Sequence, residues 1–219
     1  MISHPLGRAI NFFWLRIMLL LSEKRIVEGF ELYAFSDASD FFEITPRALS
    51  FLKETDPRRY KRTRQYLSRI AYLRLGTDYF YPALSAFIVD SFPKDNPQFF
   101  AAQIVHETTH AYLESKGLRY TPKTRERHEM ICLNQQKYFI KRAVLRNESL
   151  SEEERKEVLA QWDQWFQEEL NSHWWEPHKM RLRQMDRLRD QLSQFKKLFR
   201  KGAISKDEMI PGSQGTGNK

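Results

Sequence analysis

The stretch "NPQFFAAQIVHETTHAYLESK", Asn96 to Lys116, constrains this chain most. The protein carries 36 Lys and Arg in 219 residues, yet none falls between Asp95 and Lys116. Asn96-Pro97 is a helix start, a polar cap followed by proline at the first helical position. Gly117 stands where a left-handed C-terminal cap belongs. The helix between them has Ala101, Ile104, Val105, Thr108, Thr109 and Tyr112 on one side, which is expected to be buried. Gln103, His106, Glu107, His110 and Glu114 form the other side, facing either a cleft or, in the plainer reading, open solvent.

Around this helix the punctuation is frequent. Arg25 to Phe35, "RIVEGFELYAF", reads as a short strand. Thr45-Pro46 and Asp56-Pro57 each look like helix starts. Ile70 to Leu75, a turn at Gly76 to Asp78, and Tyr79 to Asp90 read as strand, turn and strand. Pro82 forces an edge position or a break in the second strand. Thr121-Pro122 opens a helix running to about Arg146, and Ser151 with Glu154 is a capping box for one reaching Asn171. A last helix is expected from Lys179 to Lys201. The eight glycines are few for this length, which favours helix. The fold class expected is α+β, predominantly helical, with a small antiparallel sheet. Residues 1–148 would form the core domain, 149–201 a helical hairpin packed on it, and 202–219 a disordered tail.

Charge and cysteine content narrow the function less than the motif does. The net charge of +8 admits nucleic acid, anionic lipid or an acidic substrate, but the cations are spread over several helices. The single cysteine, Cys132, rules out an internal disulfide framework and multi-cysteine zinc modules, and suits a reducing cytoplasm. Residues 1–21 contain the apolar run "INFFWLRIMLLL". Its roughly 20 Å as a helix is short against about 30 Å of hydrocarbon. A buried helix or a peripheral membrane contact is expected, rather than a span or a cleaved signal.

Chemistry concentrates in "HETTH". Residues at i and i+4 lie about 40° apart around a helix, so His106 and His110 point the same way, one turn apart. Glu107 lies about 100° from His106, at the border of that face, where it misses a metal and can reach a water beside it. Two imidazoles need a third donor for a zinc site with one open position. On the following helix Glu129 lines up with the apolar stripe of Cys132, Leu133, Gln136, Ile140 and Ala143. It therefore points inward, and an inward carboxylate needs a cation. Zinc is the favoured partner and Arg125 the structural alternative. Glu126, at the margin of the stripe, is the rival ligand; His128 is rotated about 100° away.

"QIVHETTHAY", followed by a glutamate 19 positions after His110, resembles the zincin metallopeptidases, and among them the gluzincin arrangement. "HETTHAYLESKG" with "RHEMICLNQQ" is similar to small bacterial metallopeptidases that carry a glutamate and a cysteine three apart on the second helix. The resemblance spans about residues 87–146. It implies Zn2+ held by His106, His110 and Glu129, and Glu107 as general base on a zinc-activated water that attacks a peptide bond. It also implies that an edge strand aligns the peptide, and "YFYPALSAFIVDSF" stands where that strand would be. Leu133 occupies the place of the Asp that orients a ligand histidine in thermolysin-like enzymes, so no orienting partner is assigned. Several Tyr, His173 or His178 could stabilise the oxyanion.

The remaining features have plain readings. The Arg-rich segment from Asp56 to Arg74 reads as a solvated cationic helix face, with no specific nucleic acid expected. Met185, Leu188, Leu192, Phe195 and Phe199 fit a hairpin partner for Val158, Leu159, Trp162, Trp165 and Phe166; a dimer through this seam is the alternative to the expected monomer. Cys132 reads as a small buried hydrophobe rather than a ligand or redox switch. The partner expected is a peptide or protein substrate. A non-catalytic zincin-like scaffold, and a nucleic-acid or membrane-surface binder with a structural metal, are the alternatives.

Overall fold

The computed structural model describes residues 5–35, 38–75, 78–90, 92 and 96–172. The expected helix at 179–201, the His173 to His178 corner and the tail lie outside them. The described residues form a mixed α+β fold, mainly helical, with one five-stranded sheet and six α-helices.

The chain opens with α1 (Pro5–Leu20), then β1 (Glu23–Val27) and β2 (Phe30–Ala34). The single strand expected over Arg25 to Phe35 is in fact most of a hairpin. Val27 pairs with Phe30, so Glu28 and Gly29 alone make the turn, both at positive φ (49° and 80°). Such a turn follows the right-handed twist of two antiparallel strands.

Next come α2 (Ser39–Thr55) and α3 (Pro57–Tyr66). Asp56 caps α3 as expected, accepting from Arg59 N at 3.1 Å. Thr45-Pro46 opens nothing: α2 begins at Ser39 and carries Pro46 in its interior. Burial decides this. Phe41, Phe42 and Ile44, all buried, hold the preceding turns against the core, which outweighs the hydrogen bond that proline deletes.

The remaining strands are β3 (Arg69–Tyr72), β4 (Tyr79–Tyr81) and β5 (Ala86–Val89), with a 3-10 turn at Pro82–Leu84. Pro82 breaks the long strand expected there. The sheet order is β1-β2-β3-β5-β4. β2 with β3 and β3 with β5 are parallel pairs, so the sheet is mixed rather than antiparallel. The physical reason is connection length: α2 and α3 form a crossover between β2 and β3, which a parallel pair requires. β4 turns back onto β5 in antiparallel register and is left as the edge.

Both faces of the sheet are covered. Leu15, Met18 and Leu19 of α1 pack on Ala71, Leu73, Ala86 and Ile88. The apolar N-terminal helix is thus a core helix, and no helix among the described residues is long and apolar enough to cross a membrane. The other face, with Leu32, Ile70, Phe87 and Val89, packs on α2 and on α4 (Pro97–Ser115). α5 (Arg125–Arg146) lies along α4, and α6 (Glu152–Ser172) along α5. α5 starts three residues after Pro122, because Thr121 to Thr124 form their own turn, with Thr121 N donating to Thr124 Oγ1 at 3.0 Å. Ser151 and Glu154 exchange the two hydrogen bonds of a capping box, at 2.7 and 3.2 Å. Trp162 of α6 stacks on Phe99 at 5.6 Å, which fastens α6 to the start of α4.

Candidate metal centre

α4 starts and stops where its caps say. Asn96 accepts from Phe99 N at 2.9 Å. At the other end Leu118 N bonds Leu113 O at 3.0 Å and Gly117 N bonds Glu114 O at 2.9 Å, the paired bonds of a Schellman cap. Between them the helix is buried on nearly every side. His106 is 9% and Glu107 6% exposed, so the reading in which the polar stripe faces solvent fails.

α4 and α5 bring three predicted donors together. His106 Nε2 and His110 Nε2 are 3.2 Å apart, and Glu129 Oε2 lies 3.4 Å from the first and 3.5 Å from the second. Donors each about 2.1 Å from a tetrahedral zinc lie about 3.4 Å from one another, so this triangle has the edges of a coordination tetrahedron. Charge-assisted hydrogen bonds are shorter, about 2.7 to 2.9 Å, so Oε2 is buried without an ordinary hydrogen bond. Three electron-pair donors this close need positive charge between them, either a shared proton or a metal ion. The donor types, two imidazoles and a carboxylate, suit zinc.

Glu129 pairs with these imidazoles rather than with Arg125, whose guanidinium lies over the Tyr120 ring at 5.9 Å. Glu126 is exposed and stays outside the group. His128 is buried and its ring stacks on that of His110 at 6.1 Å.

The electrostatics follow from burial and from this mutual contact. Burial pushes the His106 imidazole down, but its close contact with Glu129 and the charges of Glu107 and Glu129 outweigh that and raise it to about 9. Burial pushes the Glu129 carboxyl up, and the two imidazoles override it and hold the group well below the usual carboxylate range. Glu107 is different: burial raises its carboxyl, and the opposing pull of His110 and His106 does not cancel it. The backbone N–H of Phe80, on the edge strand β4, lies on its side and weakly favours the charged form. Asp78 anchors that strand, accepting from Gln103 Nε2 of α4 at 3.2 Å and from Asp90 N at 2.7 Å.

Comparison with protein-family models, with curated proteins and with solved structures finds no match.

Two residues near the centre, Gln136 and Tyr120, carry no role in the sequence reading, and Cys132 is expected there only as a small buried hydrophobe. Gln136 Oε1 lies 3.1 Å from His106 Nδ1, the orienting contact that Leu133 could not supply. The Tyr120 phenol sits beside the Glu129 carboxylate, and its ring meets those of His110 and His128 edge-on at 5.4 and 5.6 Å. Cys132 Sγ and one nitrogen from each of His106 and His110 all lie within 4.8 Å of one another. Gln136 and Cys132 were legible as members of Glu129's face, at i+7 and i+3. Tyr120 sits in the α4–α5 connection, where no periodicity applies. A cavity of about 790 Å³ between α2, α5 and α6 is lined by none of these residues.

Proposed function

We propose that this chain is a zinc-dependent peptidase with a zincin-like centre, in which His106, His110 and Glu129 hold the metal and Glu107 is the general base. One observation carries the reading: a buried carboxylate oxygen without an ordinary hydrogen bond completes, with two imidazole nitrogens, a triangle of 3.2 to 3.5 Å edges. Bound there, zinc would supply a Lewis acid and bring the acidity of water close to neutrality.

The chain's own groups account for the rest. Gln136 Oε1 accepts a hydrogen bond from His106 Nδ1–H and so presents the Nε2 lone pair to the donor triangle. The two imidazoles hold the Glu129 carboxylate in place. Glu107, with its carboxyl raised by burial, is a stronger base than an exposed glutamate and is suited to take a proton from water and return it to a leaving amine. That carboxylate lies on the side of β4, the edge beside which an extended peptide would lie.

A non-catalytic metal centre is the second reading. It is favoured by the depth of the site, where Glu129 is 1% exposed, and by a cysteine sulfur within reach.

Purified protein assayed for zinc and for hydrolysis of unfolded casein separates the two. Glu107→Gln is expected to keep zinc near one per chain and lose roughly 10²- to 10⁴-fold in rate, while His110→Ala loses both. Full zinc occupancy with no hydrolysis by the wild type, and none by any variant, would select the non-catalytic reading.

A further inference from the structure

Two donor sets share the His106 and His110 imidazoles, one completed by Glu129 and the other by Cys132. We propose that Cys132 Sγ is a fourth ligand, which at rest occupies the position that hydrolysis requires for solvent and so keeps the centre closed. This inference rests on the metal reading above and assigns its regulation.

The geometry is local and rigid. Cys132 follows Glu129 by three residues on α5, so the two side chains leave the same face of the helix, one turn apart. Its sulfur is within 4.8 Å of a nitrogen on each histidine. Nitrogen and sulfur donors on one tetrahedral zinc lie about 3.6 Å apart. The shortfall is about 1.2 Å at most, and one χ1 step moves a cysteine sulfur by about 3 Å. Glu129 Oε2, buried and without an ordinary hydrogen bond, is aimed at the same two imidazoles, and it marks the spot independently of the cysteine. Cys132 is fully buried and is the only cysteine in the chain, so no internal disulfide can draw its sulfur away.

The chemistry is a ligand exchange. The thiol proton passes to solvent, the sulfur electron pair goes to the metal, and solvent gives up that position; no electron is transferred. Four protein donors make a closed site, whereas three with one open position make a catalytic one. The sulfur also biases the site toward zinc over magnesium or manganese, since a thiolate is a soft ligand. Loss of Sγ from the set would convert the closed form to the open one without disturbing His106, His110 or Glu129.

Cobalt(II) reports this directly, because a thiolate on cobalt adds a near-ultraviolet charge-transfer band to the visible bands of a tetrahedral site. The full chain loaded with cobalt is expected to show that band, and Cys132→Ala and Cys132→Ser to lose it while keeping the visible bands. With zinc, Cys132→Ala is expected to hydrolyse unfolded casein at least tenfold faster than wild type. Visible bands without the charge-transfer band in wild type would overturn the fourth ligand and leave the peptidase reading standing. Equal zinc-dependent rates in wild type and Cys132→Ala would overturn the closure. Failure of every form to bind cobalt or zinc would remove the metal reading itself, and this inference with it. Melting curves of both variants, matched to wild type, exclude misfolding as the cause.

Discussion

His106 Nδ1 stands 3.1 Å from Gln136 Oε1, across the contact between α4 and α5. An amide oxygen only accepts, so the imidazole carries its proton on Nδ1 and turns Nε2 toward His110 and Glu129. The bond is buried, with Gln136 3% exposed, so water does not replace it. Gln136→Leu should therefore leave the helices in place but free the ring to rotate. Zinc affinity, measured by competition with a chelator, is expected to fall about 10- to 100-fold, and Gln136→Glu to retain most of it. Unchanged affinity in Gln136→Leu would mean that the ring is held by packing alone.

Asp56 joins a helix start to the helix that carries Glu129. Its carboxylate caps α3 through Arg59 N at 3.1 Å, pairs with the Arg59 guanidinium, and lies 3.6 Å from Arg142 Nη1 on α5. Burial pushes this carboxyl up, but the bonds from Arg59 and the charges of Arg59 and Arg142 outweigh burial and leave it below its ordinary value of 3.8. A folded value below the unfolded one means that the stabilisation is complete above pH 3.8 and is lost as pH falls through the folded value. Asp56→Asn keeps a capping oxygen and loses the charge, so it should cost about 2 kcal/mol at pH 7. Urea unfolding at a series of pH values is expected to show the gap between wild type and variant closing below pH 3.8. A gap that persists at acid pH would place the loss in packing instead.

What the sequence disclosed, and what it hid, divides along the range of the interactions. Asp56-Pro57, Asn96-Pro97 and Ser151 with Glu154 mark helix starts because a cap is settled within four residues. Thr45-Pro46 carries the same local signal and misleads, because Phe41 and Phe42 gain more from burial on the neighbouring core than Pro46 costs. The parallel pairing of β2 with β3 depends on the long α2–α3 crossover, and that of β3 with β5 on a shorter connection that carries β4; no local pattern encodes either. At the candidate centre the face shared by His106 and His110, and the inward direction of Glu129, follow from helix geometry alone. That Gln136 reaches His106, that Cys132 reaches both histidines, and that Tyr120 reaches Glu129 depends on how α5 and its leading loop are set against α4. Periodicity gives the face of one helix, never its offset along another.

Gly117 controls that loop. It sits at φ 78° at the end of α4, and a Cβ added there would meet nothing within 4 Å. Space is therefore no obstacle to a side chain, and only the left-handed backbone is. Gly117→Ala should cost about 1 kcal/mol and lower the melting temperature by about 2 to 4 °C. Gly117→Asn should cost less, since asparagine tolerates this conformation better. Scanning calorimetry of the three proteins checks the order. Equal losses in the two variants would show that the strain lies elsewhere in the turn.

The apolar N-terminal helix yields the last prediction, because its sequence fitted a core and a lipid surface equally well. Met18 has no exposed surface, and Leu15 and Leu19 are buried beside it against Ala71, Leu73 and Ile88 of the sheet. Those side chains are committed to the protein, while Phe13, Leu20, Leu21 and Ile26 remain outside. Truncating Met18 removes buried contacts and leaves a cavity that the sheet, with strands on fixed register, fills only in part. Met18→Ala is therefore expected to lose about 2 to 5 kcal/mol in urea unfolding. Leu20→Ser, on the outer side, should lose less than about 0.5 kcal/mol. If α1 instead used its inner face on lipid, Met18→Ala would leave the urea midpoint unchanged and weaken sedimentation with anionic vesicles. The packing seen here requires the opposite: a large shift in the midpoint, with vesicle binding no different from wild type.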